Sequence, residues 1–407
     1  MAARLRVNIG TLSPFGRGAN APLKGRTILQ IVPPGEAGGD EGATLAVTAA
    51  LVEAGARALV ASDPGELASE LQAVGGLHVP FPATTKNLIA MTLNKNRLAQ
   101  IIASEHVDLV HARSRWAAWA AVAACRKLKR PLITAFQGDG RGSPPRTSFE
   151  RAAAAGDLVT ASSQFAAERA AEIFPAARTR LRVVRRGIDL ATLFAGGVTS
   201  QRVAKVRTAW GAAAHEHVVL APARLAFARG QRTLIEAAAL IKGRGIEDVR
   251  FVLAGEAEKP AFARELDALA AERGVKSILT RVGAPADLPA TWVAAGVAVF
   301  PATDAEGVTR TTIEAAAIGA LTIISDVGPA REIVAGPPYA DADVRSGWLV
   351  PPGDAAALAE AIEAALALGA SAREALRRRS RARIAKYYSI ERMTRDTLSV
   401  YAEALGR

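Results

Sequence analysis

The chain of 407 residues contains very little cysteine and few aromatic residues. Cys125 is its single cysteine, which excludes an internal disulfide and any structural zinc site built on cysteine pairs. Aromatic residues make up 5% of the chain, whereas hydrophobic residues, many of them alanine, make up 50%. This composition favours helices packed closely on sheets over an aromatic-rich β fold. We expect a protein of a reducing compartment, the cytoplasm.

Long apolar runs and acidic residues are also scarce. The sequence has no run of about 18 apolar residues, and its amino end lacks the apolar core of a secretion signal, so we expect neither a membrane span nor export by that route. Basic residues outnumber acidic ones 51 to 39, which gives a formal net charge of +12. This excess predicts an anionic partner. Phosphorylated small molecules, nucleic acid and the acidic inner face of the cell membrane, where the protein would be peripheral, all qualify.

The basic residues are concentrated near the two ends of the chain. Residues 1–26 contain five of them and no acid, and residues 373–395 hold a dense arginine series. A solvated helix face, an acidic membrane surface and nucleic acid are three alternative explanations of that series. Few aromatic residues are available to stack on bases, and no nucleic-acid motif is present. We therefore predict no nucleic-acid partner.

The length of the chain and its pattern of apolar runs predict two α/β domains. A chain of 407 residues exceeds the size at which one core keeps growing. Short apolar runs alternate with helical patterns, which predicts doubly wound parallel sheets that face each other across a cleft. The predicted strands are 27–32, 58–61, 109–111, 132–135, 158–161 and 183–184 in the first domain, and 218–221, 249–254, 278–282, 297–300 and 321–324 in the second. The predicted domains are a basic flexible extension at 1–26, an amino-terminal domain at 27–195, a carboxy-terminal domain at 196–380 and a final helical segment at 381–407.

Two glutamates stand eight positions apart between the last two predicted strands. Thr309 is placed to cap the helix between these strands and Gly319 to end it, with Glu306 on the preceding loop and Glu314 inside the helix. Ligands of open α/β sheets bind beyond the carboxyl ends of the strands, where helix N-termini suit phosphate and carboxylates suit sugar hydroxyls. The pair therefore indicates a nucleotide-sugar site. The alternative is that both glutamates are ordinary solvated helix residues.

A loop with two cations follows the first strand of the carboxy-terminal domain, and a glycine-rich turn follows the first strand of the amino-terminal domain. Arg224 and Arg229 lie in one loop of the carboxy-terminal domain, where a pair of cations can clamp a diphosphate without a metal. Gly38 and Gly39 precede a helix predicted to run to about Glu53, and glycines there let backbone N–H groups approach a phosphate. A plain tight turn is the alternative. The segment lacks the G-x-G-x-x-G pattern, which disfavours a dinucleotide oxidoreductase.

With these residues in place, the chain resembles the retaining glycosyltransferases of family 4, which have the GT-B fold of two Rossmann-like domains. The resemblance covers nearly everything after residue 27. The segments that carry it are Glu306 and Glu314, 224–225, 229–230, Gly38 and Gly39, the run 347–354, and the His-Ala-Arg-Ser-Arg block at 111–115 with Lys86 and Asn87 upstream. Within the family the chain looks most like bacterial members that carry that block, many of which serve lipopolysaccharide or other envelope glycan synthesis.

The resemblance implies a metal-independent hexosyltransferase with a UDP- or GDP-sugar as donor and a lipid-linked or oligosaccharide acceptor. It gives Arg224 and Arg229 the donor diphosphate, Glu314 the nucleotide ribose and Glu306 the hydroxyls of the transferred sugar. It also implies retention through front-face attack, in which a phosphate oxygen of the leaving group receives the acceptor proton. No cofactor and no dedicated protein base belong to that scheme.

Two further expectations come from the same resemblance. Gly38 and Gly39 would border the donor phosphates and the acceptor. The helix at 381–407 would cross back onto the amino-terminal domain.

Several positions depart from the family pattern. Gln137 stands where the family usually has a histidine near the reacting sugar, and it can hydrogen-bond but cannot titrate. Arg229 replaces a lysine and offers a planar fork instead of a point charge. Thr309 replaces a glycine of the donor loop. These changes keep a second hypothesis open, a degenerate GT-B protein that binds a nucleotide sugar or a partner enzyme without catalysing transfer.

The block at 111–115 and the helix after it have structural as well as functional interpretations. We assign His111 no chemistry, because a histidine at a strand end is usually a satisfied structural residue. Arg113 and Arg115 either meet an anionic acceptor or form salt bridges within the amino-terminal domain. Trp116 and Trp119 are spaced to share one helix face, which predicts core packing.

Overall fold

The computed structural model describes residues 22–32, 40–65, 67–82, 88–136, 148–193, 195–305, 310–341 and 343–407. The chain forms two compact units. It passes from the first to the second between residues 188 and 189, and it returns to the first between residues 388 and 389. The sequence placed these changes at 195/196 and 380/381. Within the predicted flexible extension, Leu23 is 1% exposed and belongs to the core of the first unit.

The first unit is built on a parallel sheet of seven strands in the order β3-β2-β1-β4-β5-β6-β7. Its interior strands are apolar and buried, as expected when helices cover both faces. The strands are β1 Thr27–Ile31, β2 Arg57–Ser62, β3 Leu77–Pro80, β4 Leu109–Ala112, β5 Leu132–Phe136, β6 Leu158–Ala161 and β7 Leu181–Val183. The helices are α1 Asp40–Glu53, α2 Leu67–Ala73, α3 Leu88–Ser104, α4 Arg115–Leu128, α5 Ser148–Ala153 and α6 Gln164–Ile173.

The final helix of the chain belongs to this first unit. Helix α15 (Ile390–Leu405) packs on α1, β4 and β5, and its side chain Tyr401 is fully buried. Arg182 on β7 donates two hydrogen bonds to Glu403, with Nε–Oε2 2.8 Å and Nη2–Oε1 2.5 Å. The helix therefore adds a layer to a sheet whose last strand ends at Val183, far earlier in the chain.

The second unit has a parallel sheet of six strands in the order β10-β9-β8-β11-β12-β13. The strands are β8 His217–Pro222, β9 Val249–Ala254, β10 Leu279–Val282, β11 Val297–Phe300, β12 Leu321–Ser325 and β13 Trp348–Val350. The helices are α7 Ser200–Ala209, α8 Gln231–Gly243, α9 Pro260–Glu272, α10 Leu288–Ala294, α11 Arg310–Ile318, α12 Ala330–Ile333, α13 Ala355–Leu366 and α14 Ala370–Tyr388. The predicted fold class, two doubly wound parallel sheets, is confirmed.

All eleven predicted strands are present within two residues of their expected positions, and two observed strands were missed. The missed strands, β3 and β13, both lie at a sheet edge. The predicted final helical segment is two helices, because the chain breaks at Ser389. There Ser389 Oγ accepts a hydrogen bond from Arg392 N (3.2 Å) and starts α15 anew.

The arginine series lies mostly on α14 and binds backbone carbonyls of the second unit. Arginines of α14 donate hydrogen bonds to backbone carbonyls near the ends of helices α13, α11 and α12. The last carbonyls of a helix have no partner within it, and these arginines supply one. The donors are Arg373 to Leu366 and Leu368, Arg381 to Ile318, and Arg383 to Ile333, while Arg379 donates to the carbonyl of Arg345. None of the three explanations drawn from the sequence included this structural role.

Among the described residues, no single helix is long and apolar enough to cross a membrane. Helices α13 and α14 pass that test of length and composition only as a pair, and they are bent by 113°.

Candidate functional site

The candidate site is the carboxyl edge of the sheet in the second unit. Strands β8, β9, β11 and β12 run parallel there, so the loops that follow them emerge at the same edge. The loop after β8 carries Arg224 and Arg229, and β11 leads toward α11, which carries Glu314. Because β8 and β11 are neighbours in the sheet, these two segments start side by side.

Backbone hydrogen bonds hold the loop after β8 between its two neighbours. Leu225 is fully buried, its N–H donates to the carbonyl of Glu256 (2.9 Å), and its own carbonyl accepts from Glu258 N (3.1 Å). On the other side, the N–H of Thr303 donates to the carbonyl of Ala228 (3.0 Å). The loop therefore has a fixed backbone on which its side chains are presented.

Gly230 brings the end of this loop against the end of β11. It adopts φ +72°, a left-handed conformation, and a Cβ built on it would lie 1.7 Å from the carbonyl oxygen of Pro301. Only glycine permits that approach, because the opposing atom belongs to the backbone and has no rotamer to change. The contact places Arg229, the preceding residue, beside the segment that leads to α11.

Arg224 and Arg229 lie at the two ends of the fixed loop. The Arg224 side chain is exposed, whereas Arg229 is half-buried and lines a small cavity with Gln231 and Pro301. Gln231 itself is 1% exposed, and its Nε2 donates to the carbonyl of Arg224 (3.0 Å). Two cations at one sheet edge form an arrangement that suits a diphosphate.

Glu314 is a buried carboxylate in the second turn of α11. It is 5% exposed, so it is not the solvated helix residue that the sequence left as an alternative. Its Oε1 accepts a hydrogen bond from Arg310 Nε (2.7 Å), one turn earlier in the same helix. A buried carboxylate requires such pairing, and it retains further acceptor positions for hydroxyl groups. Sequence reasoning missed Arg310, although its i,i+4 spacing from Glu314 was a readable signal.

Five of the predicted site residues lie outside the described residues: Gly38, Gly39, Gln137, Glu306 and Thr309. The elements that flank them agree with the prediction. Helix α1 ends at Glu53, as expected, and α11 runs from Arg310 to Ile318, directly before Gly319.

The turn after β12 contributes a second charged pair at the same edge. Asp326 accepts two hydrogen bonds from Arg331, with Oδ1–Nε 2.7 Å and Oδ2–Nη2 2.8 Å. These bonds hold the pKa of the Asp326 carboxyl below its usual range. The Arg331 guanidinium also lies 3.6 Å from the centre of the Tyr339 ring. Asp326 thus has a structural partner of its own.

In the first unit, His111 is a buried structural residue, in agreement with the decision to assign it no chemistry. Its Nδ1 lies 2.8 Å from Tyr401 Oη, and the two rings meet edge to face. Burial, with a smaller contribution from the nearby Arg113, lowers the pKa of His111 to about 3. The imidazole therefore stays neutral and connects β4 to the final helix.

Arg113 and Arg115 have partners within the first unit. Arg113 Nη1 donates to Thr44 Oγ1 on α1 (2.7 Å), and Arg115 pairs with Glu150 at 3.8 Å. Arg115 therefore forms the kind of salt bridge expected under the structural alternative, whereas the partner of Arg113 is a hydroxyl group. Trp116 and Trp119 are half-buried and both rings pack on Phe149, with centroid distances of 4.4 and 5.8 Å, which supports the predicted packing role.

No cluster of three or more histidine, cysteine, aspartate or glutamate side chains suited to a metal occurs in the part of the chain that the structure describes. Cys125 is buried, and burial together with the charge of Asp157 raises the pKa of its thiol to about 12.

Comparison with known proteins connects this architecture to sugar transfer. Residues 37–192 match the family described as Glycosyltransferase Family 4, and residues 216–367 match Glycosyl transferases group 1. Two curated relatives are D-inositol 3-phosphate glycosyltransferases. The one from Salinispora tropica is 27% identical over 91% of this chain and 82% of its own length. The one from Xylanimonas cellulosilytica is 29% identical over 63% of this chain, and the match spans 60% of that relative.

Solved structures show the same fold. A glycosyltransferase from Rickettsia africae superimposes with a TM-score of 0.82 at 25% identity, covering 94% of this chain and 99% of the other. Anabaena HepE, solved in complex with UDP and glucose, superimposes with a TM-score of 0.72 at 21% identity over 91% of this chain and 98% of its own. The chain therefore has the GT-B fold of glycosyltransferases, and it is similar to the family 4 model over residues 37–192 and to the group 1 model over residues 216–367.

Proposed function

We propose that this protein transfers a sugar from a nucleotide-sugar donor to an acceptor hydroxyl, with retention of configuration at the anomeric carbon. The observation that carries the proposal is the carboxyl edge of the second sheet. There, two arginines on a fixed loop after β8 accompany a buried glutamate on the helix after the neighbouring strand. Cations suit a diphosphate and a carboxylate suits the hydroxyls of a ribose.

Arg224 and Arg229 bind the diphosphate of the donor in this proposal. Guanidinium groups hydrogen-bond phosphate oxygens in pairs, and they stabilise the negative charge that grows on the leaving nucleoside diphosphate. The scheme uses no metal. The UDP and UDP-glucose named in the Anabaena HepE structures support a UDP-sugar, with a GDP-sugar as the other donor to test.

Glu314 receives the ribose hydroxyls, and its pairing with Arg310 fixes the carboxylate before the donor arrives. By family resemblance we assign Glu306 to the hydroxyls of the transferred sugar and Gln137 to a hydrogen bond near the reacting carbon. Gly38, Gly39 and Thr309 border the donor in the same scheme.

The proposed reaction takes place on one face of the sugar. The bond between the anomeric carbon and the phosphate oxygen breaks while the acceptor oxygen forms its bond on the same side. The departing phosphate oxygen takes the acceptor proton, so no protein base is needed. The arginines balance the charge on the nucleoside diphosphate that leaves.

The acceptor has two candidates. Resemblance to bacterial envelope enzymes supports a lipid-linked or oligosaccharide acceptor of lipopolysaccharide type. The names of the curated relatives support an inositol phosphate. The excess of basic residues, a net charge of +12, suits a phosphorylated acceptor of either kind. We place the protein in the cytoplasm, and at the inner face of the membrane if its acceptor is a lipid.

Calorimetric titration with UDP-glucose, other UDP-sugars and GDP-sugars tests the donor site. We expect selective binding by the unmodified chain and a loss of at least tenfold in Glu314→Gln, because the amide keeps the shape but loses the charge. Glu363→Gln is the matched control, since Glu363 is also paired with an arginine of the second unit, at 2.8 Å. No binding of any donor by the unmodified chain would refute the proposal.

Transfer itself is then tested with the preferred donor and the two acceptor classes, and the anomeric configuration of the product is read by NMR. An inverted product would exclude the retaining mechanism. Donor binding without transfer to any acceptor would favour the second candidate, a non-catalytic GT-B protein. The departures from the family pattern at Gln137, Arg229 and Thr309 support this candidate. If the protein is non-catalytic, Gln137→His is expected to leave turnover undetectable. If it is an active enzyme with an altered site, the same substitution is expected to raise turnover.

A further inference from the structure

Gln231 occupies an unusual position beside the two arginines. It is the first residue of α8, directly after Gly230, and it is 1% exposed. Its Nε2 donates to the carbonyl of Arg224 at 3.0 Å, which fixes the orientation of the amide because only the nitrogen can donate. The amide oxygen therefore points the other way.

That amide oxygen is buried and accepts no hydrogen bond from the described residues. A buried acceptor without a donor loses its hydration and gains no bond in return, so such groups usually have a functional or solvent partner. Gln231 lines a cavity of about 10 Å³ that has room for about one water molecule. Among the described residues that line this cavity, Arg229 is the one other side chain with N–H donors. The remaining described lining residues are Ala221, Pro222, Ala223, Val299, Phe300, Pro301 and Ala302.

We propose that Gln231 is a positioning residue for the diphosphate clamp. Its Nε2 fixes the backbone at Arg224, and its Oε1 accepts a hydrogen bond from one water molecule in the cavity, which in turn bonds to Arg229. One buried amide thereby sets the spacing of both cations. The inference rests on the proposed function, because the two arginines form a clamp only if the ligand is a diphosphate.

The test compares ligands with and without the diphosphate. Gln231→Met keeps the length of the side chain but removes both hydrogen-bonding groups. We expect its affinity for UDP to fall at least tenfold, whereas its affinity for uridine, which lacks phosphate, changes less than twofold. If the unmodified chain prefers guanine, GDP and guanosine replace this pair of probes.

Gln30→Met is the matched control. Gln30 in the first unit is fully buried, its Nε2 donates to Thr48 Oγ1 (3.3 Å), and its Oε1 likewise has no partner among the described residues. The substitution makes the same chemical change far from the arginine loop in sequence. We expect UDP affinity to stay within twofold of the unmodified chain.

Gln231→Glu provides a second signature that does not depend on the methionine variant folding well. When protonated, the introduced carboxyl group donates to the Arg224 carbonyl as the amide did, but when ionised it repels that carbonyl and competes with the diphosphate for Arg229. Affinity for UDP-glucose is therefore expected to rise as the pH falls from 8 to 5, more steeply than in the unmodified chain.

Three outcomes overturn the proposal. The first is UDP binding by Gln231→Met that equals that of the unmodified chain. The second is an equal loss of affinity for UDP and uridine in Gln231→Met. The third is an affinity of Gln231→Glu with the same pH dependence as the unmodified chain. Failure of the unmodified chain to bind any nucleoside diphosphate overturns the proposed function as well. The two failures are thus told apart by the protein in which they occur.

Discussion

Gly230→Ala is the substitution for which the structure gives the most definite expectation. The added Cβ meets the carbonyl oxygen of Pro301 at 1.7 Å, and the residue must keep φ +72°. The left-handed conformation costs a residue with a Cβ about 1–2 kcal/mol. Relieving a contact with a fixed backbone atom requires movement of the loop, which typically costs about 1–3 kcal/mol more. The free energy of unfolding should therefore fall by about 2–5 kcal/mol.

Gly274→Ala separates these two contributions. Gly274 has φ +69°, close to that of Gly230, but a Cβ there meets nothing within 4 Å. Only the conformational cost remains, about 1–2 kcal/mol, and any effect of alanine on the unfolded chain is shared by both variants. The difference between the two variants measures the contact between Gly230 and Pro301.

Differential scanning fluorimetry and calorimetric titration form the assay. For a unit of about 200 residues, 1 kcal/mol shifts Tm by about 2–4 °C, so Gly230→Ala should lower Tm by about 4–20 °C and Gly274→Ala by about 2–8 °C. Gly230→Ala should also weaken binding of the nucleoside diphosphate, because the loop that carries both arginines moves. Equal losses of stability in the two variants, with donor affinity intact, would refute the reasoning.

Three further predictions concern charge and burial. Arg224→Ala and Arg229→Ala should each weaken UDP binding about 10- to 100-fold, which is about 1.4–2.8 kcal/mol, while calorimetry shows unchanged affinity for uridine. An equal loss of affinity for uridine would show that the arginines do not act on the diphosphate. The neutral His111, with its pKa near 3 in the folded chain, should make stability fall as the pH drops below about 6.5, because only the unfolded chain then takes up the proton. In urea unfolding between pH 6.5 and 5, the free energy of unfolding of His111→Phe should fall by about 2 kcal/mol less than that of the unmodified chain. An equal fall in the two proteins would contradict a neutral, buried His111. Cys125, with its thiol pKa raised to about 12, should react with a thiol reagent such as DTNB at pH 8 only after denaturation, and rapid labelling of the folded chain would show that the thiol is accessible.

The interior of both sheets could be predicted from the sequence because parallel strands covered on both faces are short and continuously apolar. β6, β9 and β11 were placed at their observed bounds for that reason. The edge strands β3 and β13 were missed, whereas the edge strands β7 and β10 were predicted. β3, with the sequence Leu-His-Val-Pro, has no fully buried residue and carries little apolar signal.

The contacts of the charged residues were harder to predict from the sequence than the positions of the interior strands. The eight-residue spacing of Glu306 and Glu314 indicated a site, but burial of Glu314 and its pairing with Arg310 depend on how α11 packs. The arginines of α14 could not be interpreted from sequence, because their partners are backbone carbonyls of other helices, and carbonyls leave no trace in residue identity.

The sequence by itself determined the two α/β domains, the positions of their interior strands, the loop that carries Arg224 and Arg229, and the helix that carries Glu314. Those features follow from local apolar pattern and from the rule that parallel strands present their loops at one edge. The tertiary structure decided the features that depend on distant contacts. It placed α15 against a sheet built at the start of the chain, brought Gly230 against Pro301, and left the Gln231 amide buried with one hydrogen bond made. Such contacts depend on the packing of residues far apart in the chain, which local composition does not encode.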